Sequence, residues 1–155
     1  MKTSITVLEL QQLLLEYAEA AFAITMNYNS NVTACYYDQK KITIHHAQSD
    51  VQKCISALHE LGHAKQCNSQ FTHLTCKAGY QALIVAQEIS AWEEGWNIYN
   101  AMNLSCPSLE SKYWNTAGKC VAVYIRHVAK CSKPHLAYLS TAYVKEPGEF
   151  IFTEW

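Results

Sequence analysis

The motif His59-Glu60-Leu61-Gly62-His63 constrains this chain more than any other part of its sequence. On an α-helix, residues four apart lie one turn apart on the same face, so two imidazoles can converge on one ion. Glu60 directly follows the first histidine and can take a proton from metal-bound water without being a ligand itself. The spacing therefore predicts a helical zinc site with His59 and His63 as ligands. The alternative is two ordinary surface histidines on a helix.

The helix that carries this motif has a well-defined predicted start. Ser49 and Gln52 fit a capping box, and Asp50 is favourable near the positive end of the helix. The apolar positions that follow keep helical spacing, and we expect the two histidines beside them to turn away from the core centre. These positions are Val51, Ile55, Leu58, Leu61 and Gly62, with Cys54 on the same side. Gly62 costs about 1 kcal/mol of helix stability relative to alanine. A glycine there lets another backbone approach closely, the alternative being a frayed helix.

A zinc ion that keeps one coordination position open for water needs a third protein ligand. A metzincin continuation, HExxHxxGxxH, is excluded because Gln66 and Ser69 stand where it requires glycine and histidine. His73 is a candidate in a polar segment that we interpret as a loop. His45 and His46 end a predicted strand and could lie near the metal, although we expect at least one of them to face solvent.

A better candidate lies on the helix predicted over residues 78–102. One face of this helix is mostly apolar, and Glu88 stands in the middle of it. A buried, unpaired carboxylate is costly, so such a group normally has a partner or a metal. We therefore predict Glu88 as the third ligand, the alternative being a salt bridge to a lysine or arginine at the helix edge. Glu93 and Glu94 fall off this face and are expected to be solvated.

HELGH together with the later segment Glu88-Ile-Ser-Ala91 resembles the gluzincin arrangement, in which a glutamate from the next helix joins HExxH in an ExxA-type motif. The ImmA/IrrE-like metallopeptidases and other small bacterial and phage zincins share this arrangement. The resemblance covers about residues 40–100. Trp92 departs from it, because the ImmA/IrrE group commonly has asparagine there, and this departure leaves the subfamily and substrate open.

The resemblance implies a zinc-dependent peptidase with one Zn²⁺ per chain and a protein or peptide substrate. It implies His59, His63 and Glu88 as metal ligands and Glu60 as the general base. A second hypothesis is a non-catalytic zinc-binding regulatory or interaction module with a zincin fold, which would have no use for a general base. A third is a helical interaction protein with an accidental HExxH. Candidates for stabilising the tetrahedral oxyanion are Tyr124, Arg126, His127, His135, Tyr138 and Tyr143.

Length, charge and cysteine content narrow the class of protein. The 155 residues favour one domain, residues 1–155, with a core of its own. The net charge of −1 gives no electrostatic footprint for nucleic acid or an anionic membrane, so neither is expected as a partner. No signal peptide and no membrane-spanning stretch is evident. The odd count of seven cysteines then fits reduced thiols, mostly in the core of a cytoplasmic protein.

The remaining segments predict an α+β architecture that is mainly helical. Helical spacing indicates a first helix over residues 4–26, which an asparagine-rich cluster ends. Residues 33–37 and 41–46 are typical of two short strands in a hairpin. Residues 108–131 predict a further helix, whose inward stripe would be Trp114, Ala117, Val121, Tyr124, Ile125 and Val128. We expect the small sheet to pack on the HExxH helix.

Overall fold

Five helices and five short strands make up the part of the chain that the computed structural model describes, residues 1–68 and 81–129. The strands are β1 (Thr3–Ser4), β2 (Thr25–Ser30), β3 (Ala34–Tyr36), β4 (Lys41–His45) and β5 (Leu104–Ser105). The helices are α1 (Val7–Phe22), α2 (Asp50–Asn68), α3 (Gln81–Ala101), α4 (Pro107–Glu110) and α5 (Tyr113–Ala129). The predicted α+β class with a mainly helical domain is confirmed. None of these helices combines the length and apolar character needed to cross a bilayer.

Helix α1 is shorter than the predicted span of residues 4–26. It begins after Thr6, whose hydroxyl accepts the backbone N–H of Glu9 while the Glu9 carboxylate accepts the backbone N–H of Thr6. It ends before Ala23, which has a φ of 54°. The prediction was wrong beyond this point because the asparagine-rich segment pairs with β4 as strand β2 instead of forming a polar turn.

Strand β4 is the centre of a three-stranded sheet, with β2 parallel on one side and β3 antiparallel on the other. A 3₁₀ turn (Tyr37–Gln39) and Lys40, which has a φ of 52°, join β3 to β4, so the predicted hairpin is confirmed. Ile42 and Ile44 of β4 are fully buried and share a core with Ile55 of α2. The sheet therefore packs on the HExxH helix, while β1 and β5 form a separate parallel pair.

Helix α2 begins at the predicted capping box and is buried around most of its circumference. The Ser49 hydroxyl accepts the backbone N–H of Gln52 at 3.4 Å, and the Gln52 side chain accepts the backbone N–H of Ser49 at 3.2 Å. The sheet and α1 cover one side of the helix, and α3 covers another. The expectation that His59 and His63 turn away from the core was wrong, because α3 covers their face and leaves them only 1% and 5% exposed.

Two glycines lie at the contact between α2 and α3. A Cβ atom on Gly62 would overlap the carbonyl oxygen of Ala91, and a Cβ atom on Gly95 would overlap the carbonyl oxygen of Leu58. Each helix therefore presents a glycine to the backbone of the other, and the close approach predicted at Gly62 is confirmed. This short separation brings Glu88 of α3 within reach of α2.

Alanine at either contact glycine should destabilise the protein. We expect Gly62→Ala and Gly95→Ala each to cost about 1–3 kcal/mol or more, because the added methyl meets backbone that can yield only if the helices separate. Gly118→Ala on α5 is the matched control, since its methyl would meet nothing within 4 Å and should stabilise the helix by up to about 1 kcal/mol. Urea unfolding of the three variants checks this. A Gly62→Ala protein as stable as the wild type would contradict the packing described.

The helix predicted over residues 108–131 is divided in two, and its buried face differs from the predicted stripe. Helix α4 starts at the expected Pro107, and the break falls before Tyr113. Tyr113 is fully buried and donates a hydrogen bond to the Trp92 carbonyl at 2.7 Å, whereas Trp114 is 47% exposed. The buried face of α5 is therefore rotated relative to the predicted stripe. The buried residues on it are Tyr113, Ala117, Cys120, Val123 and Tyr124.

Candidate metal centre

Helices α2 and α3 bring together the three residues predicted as metal ligands. The Nε2 atoms of His59 and His63 are 3.1 Å apart. One oxygen of Glu88 lies 3.3 Å from Nε2 of His59, and the other lies 3.3 Å from Nε2 of His63. All three side chains are buried, and Glu88 is fully so. The two histidines come from one turn of α2, while the carboxylate reaches them from α3.

This arrangement could hold a metal ion. The candidate ligand atoms of the three residues all lie within 4.8 Å of one another. A tetrahedral ion with ligand distances of about 2.0–2.2 Å separates its ligand atoms by about 3.3–3.6 Å, close to the separations observed here. Among the described residues, the Glu88 oxygens have no hydrogen-bond partner beyond these histidine contacts. Two imidazole nitrogens and a buried carboxylate facing one another form a donor set that a cation would satisfy.

The environment of Glu88 decides between the alternatives that the sequence left open. Within the described residues, Glu88 contacts histidines and not a lysine or arginine at the helix edge. Glu93 on the same helix is exposed, whereas Glu94 is half-buried and forms an ion pair with Lys65 at the surface. Of Glu88, Glu93 and Glu94, Glu88 is therefore the one that faces the histidines.

The three side chains of the cluster perturb one another strongly. Burial and, to a smaller extent, the neighbouring His63 lower the pKa of His59 to about 4, while Glu88 opposes them. For Glu88, burial alone would raise the pKa, but the two histidines outweigh it and hold the pKa below its usual value. Burial would likewise lower the pKa of His63, but the Glu88 carboxylate raises it overall. Without a metal, the cluster thus favours a protonated His63 beside an ionised Glu88. The added proton on His63 stands in for the cation that would bind there.

Glu60 lies beside the cluster but is not part of it. Its side chain is fully buried, and neither carboxylate oxygen has a well-formed hydrogen bond within the described residues. Burial and, to a smaller extent, the Glu88 carboxylate raise the pKa of Glu60 to about 7, while His63 and the backbone of Cys35 on β3 oppose the rise. A carboxylate with this pKa exchanges a proton readily near neutral pH.

Two side chains that sequence reasoning did not assign to the site touch its histidines. The Trp92 ring stacks on the His59 imidazole with centroids 4.1 Å apart and an interplanar angle of 26°. The Gln66 side-chain oxygen lies 3.0 Å from Nδ1 of His63. Helical spacing could have indicated both residues, because Gln66 follows His63 by one turn and Trp92 follows Glu88 by one turn. These neighbours hold the two rings in place.

Within the described residues, no other candidate histidine joins the group of ligand atoms. His45 and His46 stack on each other at the end of β4, with ring centroids 4.8 Å apart, and the second is exposed. Tyr124 is buried on α5, and Arg126 is exposed. The candidates outside the described residues or side chains are His73, His127, His135, Tyr138 and Tyr143.

Comparison of this chain with protein-family models, with curated proteins and with solved structures gives no match. The function proposed below therefore rests on the chemistry of the buried cluster and of the residues around it.

Proposed function

We propose that this protein is a zinc-dependent metallopeptidase with a gluzincin-like site. The observation that carries the proposal is the burial of the HExxH histidines against Glu88 of the next helix, with the fully buried carboxylate of Glu60 beside them. A buried carboxylate is costly. Catalysis gives a reason to keep Glu60, whereas a purely structural metal site does not.

Zinc is the metal that best suits the three side chains. Two imidazole nitrogens and a carboxylate oxygen are common zinc ligands, and three protein ligands leave the fourth position to water or substrate. His59, His63 and Glu88 would hold the ion. When bound, zinc supplies a Lewis acid that polarises the scissile carbonyl and lowers the pKa of water to about 7.

Glu60 would move the proton during hydrolysis. Its carboxylate accepts a proton from the attacking water and then delivers it to the leaving amine. Burial raises the pKa of Glu60 in the metal-free protein, and a bound cation nearby would lower it, which favours the ionised carboxylate that accepts the proton. The buried setting of Glu60 also keeps bulk water from competing for that proton.

The sheet next to α2 favours an extended peptide as the substrate. Strand β3 lies at one edge of the three-stranded sheet, and the backbone at Cys35 of this strand approaches Glu60. An extended peptide can add to such an edge through main-chain hydrogen bonds. A peptide paired with β3 would pass close to Glu60, which is why we propose a peptide or protein substrate.

The proposed compartment is the cytoplasm. Cys35, Cys54, Cys106 and Cys120 are buried and Cys67 is half-buried, and all five are free thiols. Reduced thiols of this kind are typical of proteins in a reducing compartment.

Hydrolysis of a peptide library, followed by mass spectrometry, tests the proposed function. Cleavage should disappear on treatment with a chelator and return on addition of Zn²⁺. A cell lysate should be used as a second substrate pool, because the enzyme could be specific for one protein. If zinc binds but neither pool is cleaved, the protein is a non-catalytic zinc-binding module instead.

A further inference from the structure

A chain of hydrogen bonds links the outer nitrogen of His63 to the backbone of α3. The Gln66 side-chain oxygen lies 3.0 Å from Nδ1 of His63, and the Gln66 side-chain nitrogen donates to the Gln87 carbonyl at 2.7 Å. Both Gln66 and Gln87 are buried. Gln87 directly precedes Glu88 in the sequence. The Gln66 side chain of α2 therefore contacts His63 on its own helix and the backbone next to Glu88 on α3.

The Gln87 carbonyl determines the direction of both hydrogen bonds. A backbone carbonyl can only accept, so the Gln66 atom that faces the Gln87 carbonyl must be the amide nitrogen. The other end of the amide is then the oxygen, which can only accept, and it faces Nδ1 of His63. Nδ1 must therefore carry a proton. In a neutral imidazole this leaves the lone pair on Nε2, the atom that points at His59 and Glu88.

The second histidine is held by a different kind of contact. His59 stacks on Trp92, and its Nδ1 has no hydrogen-bond partner among the described residues. Stacking fixes the plane of a ring but does not choose which nitrogen carries the proton. Within the described residues, a hydrogen bond that determines which ring nitrogen is protonated is thus present at His63 but not at His59.

We propose that Gln66 is a positioning residue, which keeps the proton on Nδ1 of His63 and aims the lone pair of Nε2 into the metal site. This inference rests on the proposed function, because it requires the cluster to bind a metal. A hydrogen bond to the outer nitrogen of a metal-bound histidine fixes its orientation and raises its basicity, and its loss typically weakens metal binding about 10–100-fold.

Three variants and one probe, Zn²⁺ alone, test the role of Gln66. Gln66→Met has a similar length but cannot accept from Nδ1, and we expect it to bind zinc about 10–100-fold more weakly. Gln66→Glu keeps an acceptor toward Nδ1 but loses the donor to the Gln87 carbonyl, so its zinc affinity should lie between those of Gln66→Met and the wild type. Gln52→Met is the matched control, since it disrupts the capping box of the same helix without touching a ligand. Its zinc affinity per folded chain should equal that of the wild type.

Zinc affinity is measured by competition with a chelating dye and corrected for the folded fraction by circular dichroism. Equal affinities of Gln66→Met and the wild type would overturn the role of Gln66 and leave the zinc site standing. A wild-type protein that takes up no zinc would overturn both the proposed function and this inference.

A measurement on the wild type covers the case in which Gln66→Met does not fold. Nitrogen-15 NMR of the zinc-loaded protein reports which ring nitrogen of His63 carries the proton and which one binds the metal. We expect a protonated Nδ1 and a metal-bound Nε2, a result that a merely structural role of Gln66 would not require. Metal bound at Nδ1 of His63 would overturn the inference.

Discussion

Glu60→Gln is expected to lower peptide hydrolysis by about 10²–10⁴-fold, the usual contribution of a general base. The amide preserves the size and polarity of the side chain but cannot take a proton from the attacking water. Because Glu60 lies outside the group of ligand atoms, zinc binding should remain. The fold should also remain, since an uncharged amide is less costly to bury than an ionised carboxylate.

The measurement is the turnover of a cleaved library peptide, together with zinc content and thermal melting of each protein. Glu93→Gln is the matched control, because Glu93 is exposed on α3 and should leave turnover unchanged. If Glu60→Gln cleaves as fast as the wild type, Glu60 is not the general base. A variant that has lost its zinc would show instead that Glu60 supports the metal site.

Glu88→Ala is expected to weaken zinc binding by roughly 10²–10⁴-fold. Zinc sites contribute about 10–16 kcal/mol, and one of three ligands would account for roughly 3–5 kcal/mol of that. The loss has a second cause, since Glu88 is the carboxylate beside the two histidines and would balance part of the charge of the bound ion. Zinc titration of the purified variant, in competition with a chelating dye, measures the change.

Glu93→Ala and Glu94→Ala serve as controls on the same helix. Glu93 is exposed, and Glu94 pairs with Lys65 at the surface, so neither substitution should change zinc affinity. Equal affinities in all three variants would place the third ligand elsewhere. His73, which lies outside the described residues, would then be tested by His73→Ala.

The features that could be predicted from the sequence depend on neighbours close along the chain. The start of α2 is determined by Ser49 and Gln52, three residues apart, and the spacing of His59 and His63 follows from the helix itself. Glu88 was recognisable because a carboxylate on an apolar helical face needs a partner. Local rules were sufficient for these three features.

The features that were missed depend on contacts between distant segments. Strand β2 forms because it pairs with β4, and its asparagine-rich sequence alone favours a turn. Adjacent Tyr113 and Trp114 are both aromatic, so periodicity cannot choose between them. The hydrogen bond from Tyr113 to the Trp92 carbonyl is a tertiary contact, and it goes with the burial of Tyr113.

The metal content of the purified protein is the most direct test of zinc binding by His59, His63 and Glu88. Protein purified without added metal should contain about one zinc per chain by elemental analysis, as expected for a site with three protein ligands. A chain stripped with a chelator should take up the same amount on titration with Zn²⁺. A protein that is isolated metal-free and takes up no zinc would contradict the proposed zinc site.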